Sequence, residues 1–157
     1  MADFKLTSPA FGPGGRIPRV YAQAGRNISP PLSWAGVPAQ TKSLVLIVED
    51  ADAPVGTVTH WAAYDIDPAL GRLEEGVPAI RHATNDMAHP RYDGPKPPPG
   101  HGPHHYRFRL SALDVVSLKL PQNPTHQDLK KAARSHALAE AQLIGTFETP
   151  ASGDEHG

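Results

Sequence analysis

The chain is 157 residues long, which suits one domain with its own hydrophobic core, and carries a formal net charge of -1 with histidine neutral. Acidic and basic residues are mixed along the sequence, so no basic stripe indicates nucleic acid and no cationic amphipathic helix indicates a membrane surface. The sequence contains no cysteine, which excludes disulfides and thiol chemistry.

These features predict a cytoplasmic protein of one domain, residues 1–150, followed by a flexible tail at 151–157. The N-terminus lacks the apolar core of a secretory signal, and no apolar run approaches membrane-spanning length. We therefore expect neither nucleic-acid binding nor stable membrane insertion. A homodimer is compatible with the sequence, but nothing in the sequence requires one.

The strand candidates in the first half of the chain include two long apolar runs. Residues 43–48 are continuously apolar after Ser43, which is typical of a strand buried on both faces. Val58–Ile66 combines β-branched and aromatic residues and predicts a second central strand, with His60 and Trp61 on opposite faces. Residues 19–22 form a weaker strand candidate.

Proline dominates the middle of the chain. The sequence has 18 prolines, and they are densest at 90–103. Proline is excluded from helix interiors and central strands, so we expect strands joined by long loops. Because strand-like sequence lies on both sides of 90–103, an ordered loop is favoured there over a disordered linker.

The last third of the chain predicts one clear strand and one helix. Polar and apolar residues alternate over 106–112, which indicates a strand with one buried face. Residues 125–143 predict a helix that Thr125 caps and Gly145 closes. Residues 115–120 and 146–148 are weaker strand candidates.

Two aspartates follow the apolar run at 43–48. Asp50 and Asp52 are two positions apart, so an extended strand would place both side chains on one side. Asp52 precedes Pro54 and is typical of a turn residue that accepts backbone N–H groups. We assign the functional role to Asp50, because two buried carboxylates beside imidazoles would repel each other.

Histidines lie in two of the other predicted strands. His60 lies in the second apolar run. In a strand that begins near residue 104, alternation sends His104 and Tyr106 to one face and His105 to the other. If the two strands lie side by side, their inward-facing side chains converge with Asp50 on one pocket.

The chemistry of this candidate pocket favours an anion. Imidazole N–H and phenol O–H groups are donors that suit the oxygens of phosphate or carboxylate. A glycine such as Gly94 would let backbone N–H groups approach the same anion. Protonated imidazoles would strengthen such a site below about pH 6.5.

Three alternatives stay open from the residues alone. The nine histidines include a cluster at 101–105, which could join His60 and Asp50 in a two-histidine, one-carboxylate metal site, although no spacing matches a zinc signature. Asp50 and His60 could instead act as a general acid–base pair in a hydrolase. The prolines at 95–99 could dock into an aromatic groove of a partner protein.

Several short motifs occur in a specific order. They are NISPPLSW from Asn27, DADAP from Asp50, THW from Thr59, YDG from Tyr92, the proline run, and GPHHY from Gly102. Their order and spacing resemble the phosphatidylethanolamine-binding protein family, most closely its bacterial branch of Raf kinase inhibitor-like proteins. The resemblance extends from Leu6 to Phe147.

This resemblance implies a mainly β fold, with a large central sheet, a smaller sheet packed on it and one helix near the C-terminus. It also implies a small pocket for phosphate or phosphorylated head groups, in a binding or regulatory protein without turnover or cofactor. In the family the bond before the proline at position 54 is commonly cis, which extends that possibility to Ala53–Pro54. The family's pocket positions fall on Asp50, Pro54, His60, Gly94, His104 and Tyr106.

Two departures from the family pattern bear on the rim of the pocket. The family's GxHRY is GPHHY here, so His105 replaces an arginine. The family's PPKG is PPPG at 97–100, with a lysine moved to Lys96. A rim that is less cationic at neutral pH predicts a weaker anion affinity.

Overall fold

A computed structural model describes residues 3–76 and 79–151. Apart from Ala151, the tail predicted at 151–157 lies outside the described residues. The described chain forms two antiparallel sheets, one α-helix and two short 3-10 helices, Arg19–Tyr21 and Pro68–Leu70. In chain order the other elements are β1 (Lys5–Thr7), β2 (Leu32–Ala35), β3 (Ser43–Asp50), β4 (Val58–Ile66), β5 (Arg72–Leu73), β6 (Arg81–His82), β7 (His104–Leu113), α1 (His126–Arg134) and β8 (Ala137–Phe147).

The two sheets pack around the main core. The larger sheet has the strand order β6-β4-β3-β7-β8, and the smaller has the order β1-β2-β5. Large apolar side chains from both sheets fill the space between them, including Leu6 and Trp34 from the smaller sheet and Leu46 and Phe108 from the larger. This architecture confirms the predicted mainly β fold, in which a smaller sheet packs on a larger one.

The central strand β3 is buried at all eight positions because both faces of the larger sheet are covered. One face contacts the main core, and on the other Leu129 of α1 packs against Val45 and Ile47. Buried Glu49 forms an ion pair with Lys130 of α1 at 2.9 Å, which holds the helix against the sheet. A strand covered in this way needs the continuous apolar run that predicted it.

The helix α1 begins where the sequence predicted but is shorter. The hydroxyl of Thr125 accepts from the N–H of Asp128 at 3.1 Å, and the carboxylate of Asp128 accepts from the N–H of Thr125 at 3.0 Å, which is a capping box. The helix ends at Arg134, so the prediction of a helix to residue 143 is wrong. Within residues 3–76 and 79–151, no helix is long and apolar enough to cross a membrane.

The residues predicted to complete the helix form β8 instead. This strand pairs along the whole of β7, and its buried positions, Ala141, Leu143, Gly145 and Phe147, recur every second residue. Gly145, which was predicted to close the helix, lies opposite Tyr106, where a Cβ would come within 2.6 Å of the side chain of Ile17. Close packing between the sheet and the N-terminal segment therefore explains this glycine.

Two of the weaker strand predictions are wrong. Residues 19–21 form a 3-10 helix, in which the N–H of Ala22 donates to the carbonyl of Arg19 at 3.0 Å. Residues 115–120 form a loop, whose apolar side chains join the cluster that α1 forms with the larger sheet. The candidate at 146–148 is the end of β8.

The proline-rich segment is an ordered loop, as its flanking strands predicted. Residues 92–95 are buried. The hydroxyl of Tyr92 donates to the carbonyl of Tyr21 at 2.8 Å, and the carbonyl of Pro95 accepts from the N–H of Gln23 at 3.1 Å. These bonds fix the loop against the segment around residue 21, next to the end of β4.

Candidate functional site

Three neighbouring strands end at the predicted site. The sequence interpretation assumed that the strands carrying His60 and His104 are adjacent. They are not, because β3 lies between them. Asp50, the last residue of β3, pairs with Val58 on β4 and with Tyr106 on β7. Directly opposed residues of antiparallel strands share a face, so β3 brings the two outer strands to one place.

A pocket of about 350 Å³ opens at these strand ends. Its polar side chains include Asp50, His60 and His104, all of them buried, and its apolar wall includes Pro54. The proline-rich loop covers one side and places Lys96 at the rim. The volume is at the lower end of the range for small-molecule pockets, so the site suits a small ligand.

A β-bulge turns His60 into the pocket. The register of β3 and β4 shifts between the pairs made by Thr59 and Trp61, which leaves His60 as the extra residue. Thr59 faces α1, whereas Trp61 packs in the main core. His60 packs against Tyr106 on the core side, so the prediction that His60 and Trp61 take opposite faces is wrong.

The hydrogen bonds of His60 define where its proton lies. Its Nδ1 is 2.9 Å from the carbonyl oxygen of Asp93 and 3.1 Å from that of Gly94. Carbonyl oxygens only accept, so Nδ1 carries the hydrogen. Burial lowers the pKa of His60, and the two carbonyls and the nearby Asp50 carboxylate offset this only in part. The neutral form of His60 is therefore favoured.

Asp50 and His104 form a buried pair in the pocket. Their side chains meet at 2.6 Å through Oδ2 and Nδ1, and the residues are 3% and 1% exposed. A carboxylate accepts, so Nδ1 of His104 donates. The other oxygen of Asp50 accepts from the N–H of Asp52 at 2.8 Å. The second nitrogen of His104 lies 2.6 Å from Nδ1 of His101, a residue that sequence reasoning considered only for a metal cluster.

Tyr106 lies behind the pocket and packs on its histidine. Its ring meets that of His60 edge-on, with centroids 5.3 Å apart, and the residue is 1% exposed. Its hydroxyl is buried beside the Asp50 carboxylate and the backbone of Lys96. Burial and then the Asp50 charge raise the pKa of this phenol, so it stays protonated and can donate.

Gly94 supports His60 and does not offer its N–H to the pocket. That N–H donates to the side chain of Asn27 at 2.6 Å, and the carbonyl accepts from His60 and from Gln23. A Cβ at this position would come 1.9 Å from the carbonyl oxygen of Tyr21, so only glycine fits. The expectation that the backbone N–H of Gly94 approaches an anion is therefore wrong.

Pro54 lines the mouth of the pocket, next to Ala53 and Val58. The Ala53–Pro54 peptide bond is trans. The cis arrangement that the family resemblance suggested is therefore not present at this position.

Asp52 and His105 meet outside the pocket. The Oδ2 of Asp52 accepts from the backbone N–H of His105 at 2.7 Å and lies 2.8 Å from its Nδ1. These bonds, the backbone one first, lower the pKa of Asp52. As strand alternation predicted, residue 105 faces away from the residues that converge on the pocket.

Sequence reasoning missed the acidic residue that holds the His60 loop. Asp93 is 3% exposed, and its carboxylate accepts from Asn85 at 2.8 Å, His89 at 2.7 Å and Asn27 at 3.2 Å. Burial alone would raise the pKa of Asp93, but these hydrogen bonds lower it. The motifs around Asn27 and Tyr92 contained the signal, but a single sequence does not show that they touch.

Two alternatives from the sequence can be compared with this geometry. Among the residues at 3–76 and 79–151, no group of three or more histidine, aspartate and glutamate side chains is arranged to hold a metal ion. The prolines at 95–99 are only partly accessible, because Pro95 and Pro97 are buried, and Pro97 and Pro98 form part of the pocket wall.

Comparison with known families and curated proteins gives one consistent match. The family model described as phosphatidylethanolamine-binding protein matches residues 7–148. A UPF0098 protein of Aquifex aeolicus is 41% identical over 153 residues, which cover 94% of this chain and 90% of that relative.

Two solved structures share the fold. CT736 of Chlamydia trachomatis, described as a phosphatidylethanolamine-binding protein homologue, has a TM-score of 0.87 at 40% identity over 94% of this chain and 99% of its own. YbcL of Escherichia coli, described as a member of the mammalian family of that name, has a TM-score of 0.87 at 26% identity over 94% and 99%.

Proposed function

Because the chain belongs to the phosphatidylethanolamine-binding protein family, we propose that its pocket binds phosphate or a phosphorylated head group, as a regulatory binding protein without turnover. The family-derived pocket positions Asp50, Pro54, His60 and His104 line this cavity, with Tyr106 and Gly94 directly behind it. The proposal retains the sequence-based expectation of a cytoplasmic protein that engages neither nucleic acid nor the membrane interior.

The observation that carries the proposal is the convergence of polar groups from three strands on one small pocket. Asp50, His60 and His104 are each less than 7% exposed, yet all three reach the cavity. Buried polar groups are costly unless their hydrogen bonds are completed. A small oxyanion would complete the hydrogen bonding of polar groups that face this cavity.

The charges of the pocket are compatible with such a ligand. The carboxylate of Asp50 is directed at the N–H groups of His104 and Asp52, which reduces its repulsion of an anion. At the rim, exposed Lys96 adds the positive charge that draws an anion to the entrance.

Calorimetric titration of the full chain at pH 7.5 with inorganic phosphate and with O-phosphoethanolamine tests this proposal. We expect saturable binding that Lys96→Ala weakens by about two- to fivefold, the range of an exposed charge interaction. The matched change Lys119→Ala, at an exposed lysine on another surface, should leave the affinity unchanged. Absence of binding for both ligands would refute the proposal. So would NMR spectra in which phosphate shifts backbone amide signals elsewhere but not those around Asp50 and His104.

A hydrolase is the alternative of a different class, and one observation favours it. Asp50 and His104 form the carboxylate–imidazole unit common in general acid–base catalysis, although sequence reasoning had paired Asp50 with His60. Turnover of p-nitrophenyl phosphate and p-nitrophenyl acetate, with and without chelator, separates the two proposals. Turnover that His104→Ala abolishes would favour the hydrolase, and its absence in the wild type would favour binding alone.

A further inference from the structure

The pocket presents an acceptor where an anion site would be expected to present a donor. Both hydrogen bonds that the described residues make to the ring of His60 use Nδ1. A neutral imidazole with its hydrogen on Nδ1 has a lone pair on Nε2. Since His60 lines the pocket, this lone pair is the hydrogen-bonding group that the ring can offer to a ligand. The lowered pKa of His60 supports the neutral form.

The carboxylate of Asp50 adds negative charge on the same side. Within the described residues its only ion-pair partner is His104, and no lysine or arginine neutralises it. A fully deprotonated oxyanion would therefore meet both a lone pair and a carboxylate. The titratable groups that share this region with His60 are Asp50 from β3, His104 and Tyr106 from β7, and Asp93 and Lys96 from the loop before β7.

We infer that the pocket selects a phosphate group that carries one proton over oxyanions of similar size that carry none. The P–O–H group donates to Nε2 of His60, and the unprotonated oxygens accept from Lys96 at the rim. Singly protonated inorganic phosphate and phosphomonoesters satisfy this pattern, whereas sulfate and dialkyl phosphates lack the hydrogen. This specificity rests on the proposed function, since it assigns the form of the anion that the same pocket takes.

The size of the preference follows from the unmade hydrogen bond. A site built to pair with a ligand hydroxyl rejects an analogue without it, because its own buried group is left unpaired. Leaving such a group unpaired costs enough to lower affinity by about tenfold or more. Monoesters of phosphate lose their second proton near pH 6, so the protonated form is well populated at about that pH.

Calorimetry at about pH 6 with inorganic phosphate, methyl phosphate, sulfate and dimethyl phosphate tests the inference. We expect phosphate and methyl phosphate to bind about tenfold or more tightly than the two probes without an acidic hydrogen. Titrations of methyl phosphate at pH 7.5 in buffers of different ionisation heat should show uptake of a proton on binding, because the monoester is then mostly the dianion that lacks a P–O–H group. Inorganic phosphate still carries one proton at that pH, so its binding should show little or no uptake.

His60→Gln is the discriminating variant, since its amide can turn either an N–H or an oxygen towards the ligand. We expect the preference for phosphate over sulfate to fall to about twofold or less, while His82→Gln, at a histidine of β6 outside the pocket, keeps the wild-type ratio. Sulfate and dimethyl phosphate that bind wild type as tightly as phosphate would overturn this inference alone. Failure of phosphate and methyl phosphate to bind would overturn the proposed function, and the inference with it.

Discussion

Nδ1 of His101 lies 2.6 Å from Nε2 of His104, whose other nitrogen donates to Asp50. The three side chains form a chain that runs from the buried end of β3 to the surface, because His101 is exposed and the other two are buried. Both nitrogens of His104 are thus occupied by the protein. A phosphate that bonded to Nε2 of His104 would have to displace His101.

Removal of this competitor should strengthen anion binding. His101→Ala removes one hydrogen bond, worth about 1 kcal/mol, from the state that a ligand must disrupt, so we expect phosphate to bind about threefold to tenfold more tightly. Calorimetry at pH 7.5 measures the change. His105→Ala is the matched control, because that imidazole faces Asp52 outside the pocket, and it should not alter the affinity. A weaker affinity in His101→Ala would mean that His101 itself contacts the anion.

Asp50→Asn should impair binding more than folding. The substitution keeps the size of the side chain and an oxygen for the N–H of Asp52, but removes the charge that faces Nδ1 of His104. The orientation of that imidazole depends on the carboxylate, and we expect its loss to outweigh the removal of a charge that repels the anion, so that phosphate binding weakens by about 1–3 kcal/mol. Urea denaturation measured in parallel should show a smaller loss of unfolding free energy. A large loss of stability with unchanged affinity of the folded protein would make Asp50 a structural residue.

The parts of the fold that the sequence predicted correctly depend on local patterns. The apolar run at 43–48 and the mixed run Val58–Ile66 became β3 and β4, because each pattern reports the burial of its own strand. The prediction that the helix reaches residue 143 is wrong for the opposite reason. Its capped start at Thr125 is local, but the pairing of 137–147 with β7 joins distant parts of the chain.

The same distinction applies to the candidate site. Alternation placed His104 and Tyr106 on one face and His105 on the other, since this needs only the period of one strand. The position of His60 could not be predicted in this way, because a bulge depends on the register between two strands. Its proton position depends on carbonyls of the proline-rich loop, which no pattern within β4 reveals.

The stability of the protein should fall as the pH drops below about 6.5. Burial lowers the pKa of His60 and of His82 below that of an unfolded histidine, about 6.5. Between the two pKa values the unfolded chain binds more protons than the folded one, so the stabilisation is complete above about pH 6.5 and is lost as the pH falls towards the folded pKa. Urea denaturation at pH 7.5 and 5.5 measures the difference in unfolding free energy.

Substitution of each histidine tests whether His60 and His82 cause this pH dependence of stability. The difference between the two pH values should be smaller in His60→Gln and in His82→Gln than in wild type, whatever each change does to overall stability. Glu49 and Asp93 also have lowered pKa values. Such carboxyls change the unfolding free energy only below about pH 4.5, so they do not cause the difference between pH 7.5 and 5.5. A difference that neither variant reduces would show that other groups cause the loss.

Restoration of the family's arginine at position 105 should stabilise the protein without changing its ligand. The imidazole of His105 and the carboxylate of Asp52 are 2.8 Å apart, and both side chains are about half exposed to solvent. An arginine is charged at pH 7.5 and can bond the carboxylate with two N–H groups, so His105→Arg should raise the unfolding free energy by about 0.2–1 kcal/mol. Phosphate affinity should stay within about twofold, because residue 105 faces away from the pocket. His105→Lys has the charge but not the two parallel N–H groups, so it should raise the unfolding free energy by less. In an Asp52→Asn background, His105→Arg should not raise the unfolding free energy at all. An equal gain in that background would show that the arginine acts through a partner other than Asp52.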